Sequence, residues 1–182
     1  ASDVYKRQVQ ESLFDMGPDE QVGYRVPIAC QVAGISYRQL DYWARTKLVE
    51  PSIRTAKGSG TQRLYSFRDI LVLKIVRGLL DTGISLQNIR LAVDRLRDLG
   101  VDDLATITLV SDGRTVYQCR SNEEVIDLLN GGQGVFGIAV PGIMKELTGT
   151  IASFPSERID GTQENPGTGI DELAERRRRR IS

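Results

Sequence analysis

Hydrophobic positions along this chain follow two different periods, and the change comes near residue 100. Before it, apolar residues recur at helical spacing. A first short helix carries Ile28, Ala29, Cys30 and Val32. Ser36 with Gln39 three residues on has the capping-box spacing, and the helix it opens runs to about Thr46. That helix sets Leu40, Trp43 and Ala44 on an inward side and Arg38, Asp41, Tyr42 and Arg45 on the other. Ser66 and Asp69 cap a helix over 67–81, apolar around most of its girth except for Lys74, Arg77 and Asp81, so it must be packed on several sides. Gly83 stops it. Ser85 opens a further helix over 86–99, where Leu86, Ile89, Val93, Leu96 and Leu99 form the inner stripe and Arg90, Arg95 and Arg97 a solvated face.

After Gly100 the period becomes two, through Thr106 to Val110, an Asp112-Gly113 turn, and Thr115 to Cys119. A two-residue loop there predicts Leu109 opposite Val116 and Thr108 opposite Tyr117. Ser121 with Glu124 caps a helix ending at Gly131, a third strand spans 135–140, and Pro141 opens a last helix with Ile143, Leu147, Ile151 and Phe154 down one side. The expected layout is a disordered segment over 1–22, a helical unit over 23–100, a small α/β unit over 101–155, and a disordered tail over 156–182 ending in five arginines, Arg176 to Arg180. A unit of about fifty residues buries too little to fold alone with a generous margin, which predicts burial gained from a dimer partner or from the preceding unit.

Between the second and third helices, Ser52 to Arg54 and Thr61 to Tyr65 read as arms flanking the loop 55–60. Arg54, Lys57 and Arg63 charge this hairpin with no acid between Arg54 and Tyr65, so it can lie along a phosphate backbone. A short capped helix with Arg and Tyr outward, next to a basic hairpin, is a shape that suits a DNA groove. Charge divides the chain in the same way. The whole chain balances 24 Lys and Arg against 24 Asp and Glu, yet residues 22–100 carry a net +7 and residues 101–175 a net −9. The basic part suits a polyanion and the acidic part does not.

The run Gly34 to Arg45, then Leu48, Arg54, Arg63 to Ser66, Asp69-Ile70 and Thr82 to Leu86, resembles the DNA-binding domain of the MerR family of bacterial transcription regulators, over roughly Tyr24 to Leu99. The resemblance implies an α+β chain, with an N-terminal winged helix-turn-helix and a small C-terminal α/β domain. It implies binding to double-stranded promoter DNA as a homodimer, with RNA polymerase at the same promoter. Carried over by position, Tyr37, Arg38, Tyr42 and Arg45 match the recognition helix, and Arg54, Arg63 and Tyr65 match the wing contacts to phosphate, with Lys57 at the wing tip between them. Asp41 stands where the family usually has Arg, Ala44 where it has Glu, and Gln62 where an aromatic is common. The long coiled-coil helix of familiar members has no counterpart here. A compact α/β domain in its place is similar to a group of actinobacterial MerR-like regulators, which implies a dimer through the last strand and helix.

Other chemistry finds little support. The chain has no histidine and only Cys30 and Cys119, too few soft ligands for a metal or oxidant sensor, and both thiols read as small packed side chains. A Ser or Cys nucleophile has no histidine base, so no enzyme activity is expected, and no cofactor. The Gly-x-Gly-x-x-Gly run over 132–137 follows a helix and enters a strand, the reverse of dinucleotide binding. Glu123 and Glu124 fall in a first helical turn, where carboxylates suit the macrodipole. The apolar stretches are short, so a cytoplasmic protein without a membrane span is expected. Two alternatives stand beside the regulator reading: an effector-binding α/β domain with DNA binding as its output, and a protein-interaction adaptor that recruits a basic partner.

Overall fold

A computed structural model of the chain describes residues 22–54, 62–131, 136–158 and 163–164. Strand β1 (Val22–Arg25) leads into helix α1 (Val26–Ala33), which has Pro in its first turn and ends at Gly34, where φ is 70°. That left-handed backbone favours glycine, and the Gly34 N–H donates to the Cys30 carbonyl. Helix α2 (Tyr37–Arg45) begins with the full capping box: Gln39 N–H donates to Ser36 Oγ at 3.1 Å and Ser36 N–H to Gln39 Oε1 at 3.0 Å. Strand β2 (Leu64–Tyr65) precedes α3 (Phe67–Asp81), whose start is capped by Ser66 and Asp69.

Asp69 does more than cap. It is buried, and its Oδ2 accepts from Ser66 N at 2.9 Å, Ser52 N at 2.8 Å and Ser52 Oγ at 2.7 Å, so one charge ties the base of the hairpin to the helix start. Helix α4 (Leu86–Leu96) ends three residues before the expected 99. The Arg68 guanidinium donates to the carbonyls of Leu96, Arg97 and Leu99, satisfying acceptors that the shorter helix leaves open. A single turn, α5 (Val101–Leu104), then leads into the β segment; periodicity had not marked it.

Strands β3 (Thr108–Ser111), β4 (Val116–Cys119) and β5 (Phe136–Ala139) form an antiparallel sheet in the order β4-β3-β5, with α6 (Asn122–Asn130) after β4 and α7 (Val140–Ile151) after β5. The hairpin register departs from expectation by two residues, with Leu109 opposite Gln118 and Thr108 opposite Cys119. Asp112 moves the turn along. Its Oδ1 accepts from Arg114 N and Thr115 N, and Gly113 takes φ of 91°, so the turn centres on Gly113 and Arg114. A slip of two preserves side-chain parity, and Leu109 and Val116 are both buried as the pattern requires.

Two further strands, β6 (Ser156–Arg158) and β7 (Gln163–Glu164), lie in the segment expected to be disordered. β6 pairs antiparallel with β1, giving a second sheet in the order β2-β1-β6-β7. This is a correction to the layout read from composition. The tail beyond 164, with its arginine run, lies outside the described residues, as do residues 1–21.

One apolar cluster runs from Ala29, Leu40, Trp43 and Ile75 through Leu104, Leu109 and Ile138 to Leu147 and Ile151. Helix α7 packs on α3 and α1, and Gly78 of α3 leaves room for Ile138, whose Cδ1 would lie 3.0 Å from an added Cβ. The burial that a separate fifty-residue unit would lack therefore comes from the chain's own N-terminal part. The boundary at residue 100 is a change of charge and period, not a break in the core.

Candidate nucleic-acid interface

Helix α2 packs Leu40 and Trp43 into the core and turns a polar row outward. Tyr37 is 65% and Tyr42 46% exposed, Arg38 and Arg45 are exposed, and Ala44 is half-buried. Arg38 has no partner among the described residues. The helix is fixed at both ends: the capping box holds its start, and after it Leu48 N–H and Val49 N–H both donate to the Trp43 carbonyl. Lys47 takes φ of 58° in that turn, and Arg90 Nη1 of α4 donates to the Thr46 carbonyl at 2.9 Å. Arg90, expected on a solvated face, is thus part of what holds the exposed helix in place.

Asp41 sits among the arginines. Its Oδ2 forms an ion pair with Arg45 Nε and its Oδ1 accepts a hydrogen bond from Arg63 Nη1, each at 2.9 Å, which links α2 to the residue just before β2. The hydrogen bond from Arg63 and the nearby Arg45 charge hold its carboxyl below the usual aspartate range despite some desolvation. The hairpin base is formed by Arg54 and Leu64, with Leu64 N–H donating to Arg54 O at 2.9 Å. The tip, residues 55–61 with Lys57, lies outside the described residues.

Arg54 is not free. Its Nε donates to the Gln62 carbonyl and its Nη2 to Glu157 Oε1, each at 3.0 Å, while Arg25 Nε donates to Glu157 Oε2 at 3.0 Å. Glu157 is buried in β6, and burial alone would raise its pKa. The hydrogen bonds from Arg25 and Arg54 outweigh that and bring it below the ordinary glutamate range. Nothing local in the sequence signals this clamp, whose members lie 132 and 103 positions apart.

Tyr65 requires a correction. It is fully buried, its hydroxyl has no hydrogen-bond partner among the described residues, and burial pushes its phenol pKa up. Strand alternation turns it into the core beside α3, so it supports the hairpin from within and does not reach a phosphate. Arg63, two residues earlier, keeps 19% of its side chain exposed and points to α2. The structure therefore brings together Tyr37, Arg38, Tyr42, Arg45 and Arg63 around α2, and sets Arg54 at the hairpin base. Cys30 is half-buried and Cys119 buried, and desolvation raises both thiols.

Residues 24–96 match the family described as MerR HTH family regulatory protein. Over 174 residues, 94% of this chain and 77% of the relative, the sequence is 70% identical to an uncharacterized HTH-type transcriptional regulator of Mycobacterium bovis. The chain belongs to the MerR family. The same identity and coverage hold for an uncharacterized HTH-type transcriptional regulator of Mycobacterium tuberculosis strain H37Rv. Similarity also extends to the HTH-type transcriptional regulator HmrR of Sinorhizobium medicae, 30% identical over 83 residues, 44% of this chain and 54% of that one. The matched span holds α1 to α4 and the hairpin, so the MerR assignment covers the surface built by Arg38, Asp41 and Arg63. The chain is a transcriptional regulator of helix-turn-helix type, and no helix among the described residues is long and apolar enough to cross a membrane.

Proposed function

We propose that this MerR-family chain binds promoter DNA in a sequence-specific manner as a homodimer, with α2 entering the major groove and the hairpin lying on the flanking phosphates. The observation that carries the reading is the outward row of α2. Tyr37, Arg38, Tyr42 and Arg45 stand exposed on a helix whose two ends are pinned, and Arg38 has its whole guanidinium unengaged among the described residues. Guanidinium nitrogens on a rigid helix suit base edges, whereas Arg54 at the hairpin base, held by Glu157 but still 39% exposed, suits a phosphate. A nine-residue helix spans only a few base pairs, which favours two copies on a two-fold symmetric site. The acidic part, net −9 over 101–175, repels phosphate and leaves its surface for proteins, RNA polymerase at the same promoter being the partner that the family reading supplies.

Gel-shift titration of two variants tests this. Arg38→Ala weakens binding to a selected site by about 1–3 kcal/mol and relaxes preference at its base pair. Arg54→Ala weakens selected and random duplexes alike and flattens the salt dependence. No change for either variant would contradict the docking.

A further inference from the structure

Asp41 is an unexpected residue on a surface meant for a polyanion. It lies on the same helix as Arg38, which has no partner among the described residues, its side chain is 26% exposed, and its charge opposes any phosphate that approaches α2. Its geometry gives it a different use. Each carboxylate oxygen takes one nitrogen from a different arginine: Arg45 one turn along the same helix, and Arg63 at the foot of the hairpin. The contacts use Arg45 Nε and one Arg63 Nη, and no other hydrogen bond from either guanidinium is found among the described residues. Without Asp41, Arg45, 67% exposed, would sample many rotamers, and nothing described would tie Arg63 to α2.

We propose that Asp41 is a specificity-determining positioning residue, holding Arg45 and Arg63 as one fixed pair that offers its free nitrogens to guanine edges in the major groove and discouraging either arginine from settling on a phosphate. The inference rests on the DNA-binding reading above. A planar guanidinium discriminates guanine only when its fork is aligned with O6 and N7, and an unrestrained arginine gains as much from the backbone of any sequence. Asp41 thus trades general attraction for discrimination. The unusual consequence is that its removal strengthens binding to the wrong DNA while weakening preference for the right one.

The test uses the full chain, fluorescence anisotropy, a random-sequence duplex, and duplexes that the wild type enriches from a randomised pool. For Asp41→Asn, random-duplex affinity rises, the salt dependence steepens by about one phosphate contact, and the ratio of selected to random affinity falls about tenfold. Asp41→Glu, which keeps the carboxylate, retains more of that ratio than Asp41→Asn. In an Arg45→Gln, Arg63→Gln background, Asp41→Asn leaves the ratio unchanged, because the residue acts through the two arginines. The proposal is overturned by an unchanged ratio in Asp41→Asn, by an equal loss on both duplexes, or by an effect that persists without the arginines. A wild-type chain that enriches no sequence overturns the DNA-binding reading as well, which separates the two failures.

Discussion

Two aspartates in the basic part of the chain show how position decides the role of a single charge. Asp69 is buried with three hydrogen bonds and fixes the hairpin to α3, while Asp41 is partly exposed and fixes arginines to one another. Ser66 and Asp69 were legible in sequence because a capping box is a contact over three residues. The partners Ser52 and Arg63 were not, since nothing local signals a bond over 17 or 22 positions. The direction of Tyr65 is hidden for a related reason: the family pattern marks its position, but only the packing of β2 against α3 decides which way the ring points. Tyr65→Phe tests that correction. Removing an unpartnered buried hydroxyl should leave DNA affinity unchanged and hold or raise the melting temperature, because no hydrogen bond is lost. A fall in affinity by gel shift would return Tyr65 to the interface.

At the scale of elements, the longer helices were legible and the shortest strands were not. Helix α3 spans 15 residues with a cap at its start, and its bounds match those expected from sequence. Strands β1 and β6 have four and three residues and exist through pairing with each other and with β2 and β7, so neither carries a periodic signal of its own. What fixes β6 is the Glu157 clamp on Arg25 and Arg54. Glu157→Gln should lower stability by about 1–3 kcal/mol, the range for a charge-assisted hydrogen bond, with its partners' partial exposure favouring the lower end. The pH dependence has a definite sign. A carboxyl whose folded pKa is depressed stabilises fully above its ordinary value, and that contribution is lost as pH falls through the folded pKa. The stability gap between wild type and Glu157→Gln should therefore be widest near neutrality and shrink as pH falls below about 4. A gap that widened in acid by urea titration would rule the clamp out.

The molecule as a whole joins a basic part and an acidic part over one apolar core. Charge and period both change near residue 100, but they describe surfaces and strands. Neither reports that Ile138, Leu147 and Ile151 pack into the same cluster as Ala29 and Ile75. Thermal unfolding should accordingly run as a single transition when followed by far-ultraviolet dichroism and by Trp43 fluorescence. Two separated transitions would restore independent domains. Leu147→Ala should lower the midpoint seen by both probes, at a cost of about 2–5 kcal/mol.

The proposed function requires that the ridge of α2 read a base sequence. Selection of bound duplexes from a randomised pool, carried out with the wild-type chain and with Arg38→Ala, tests it most directly. The wild type should enrich a two-fold symmetric motif, with half-sites separated by a whole number of helical turns, and Arg38→Ala should lose preference at a symmetric pair of positions within it. Enrichment of no motif by the wild type, or of the same motif with equal strength by Arg38→Ala, would contradict it.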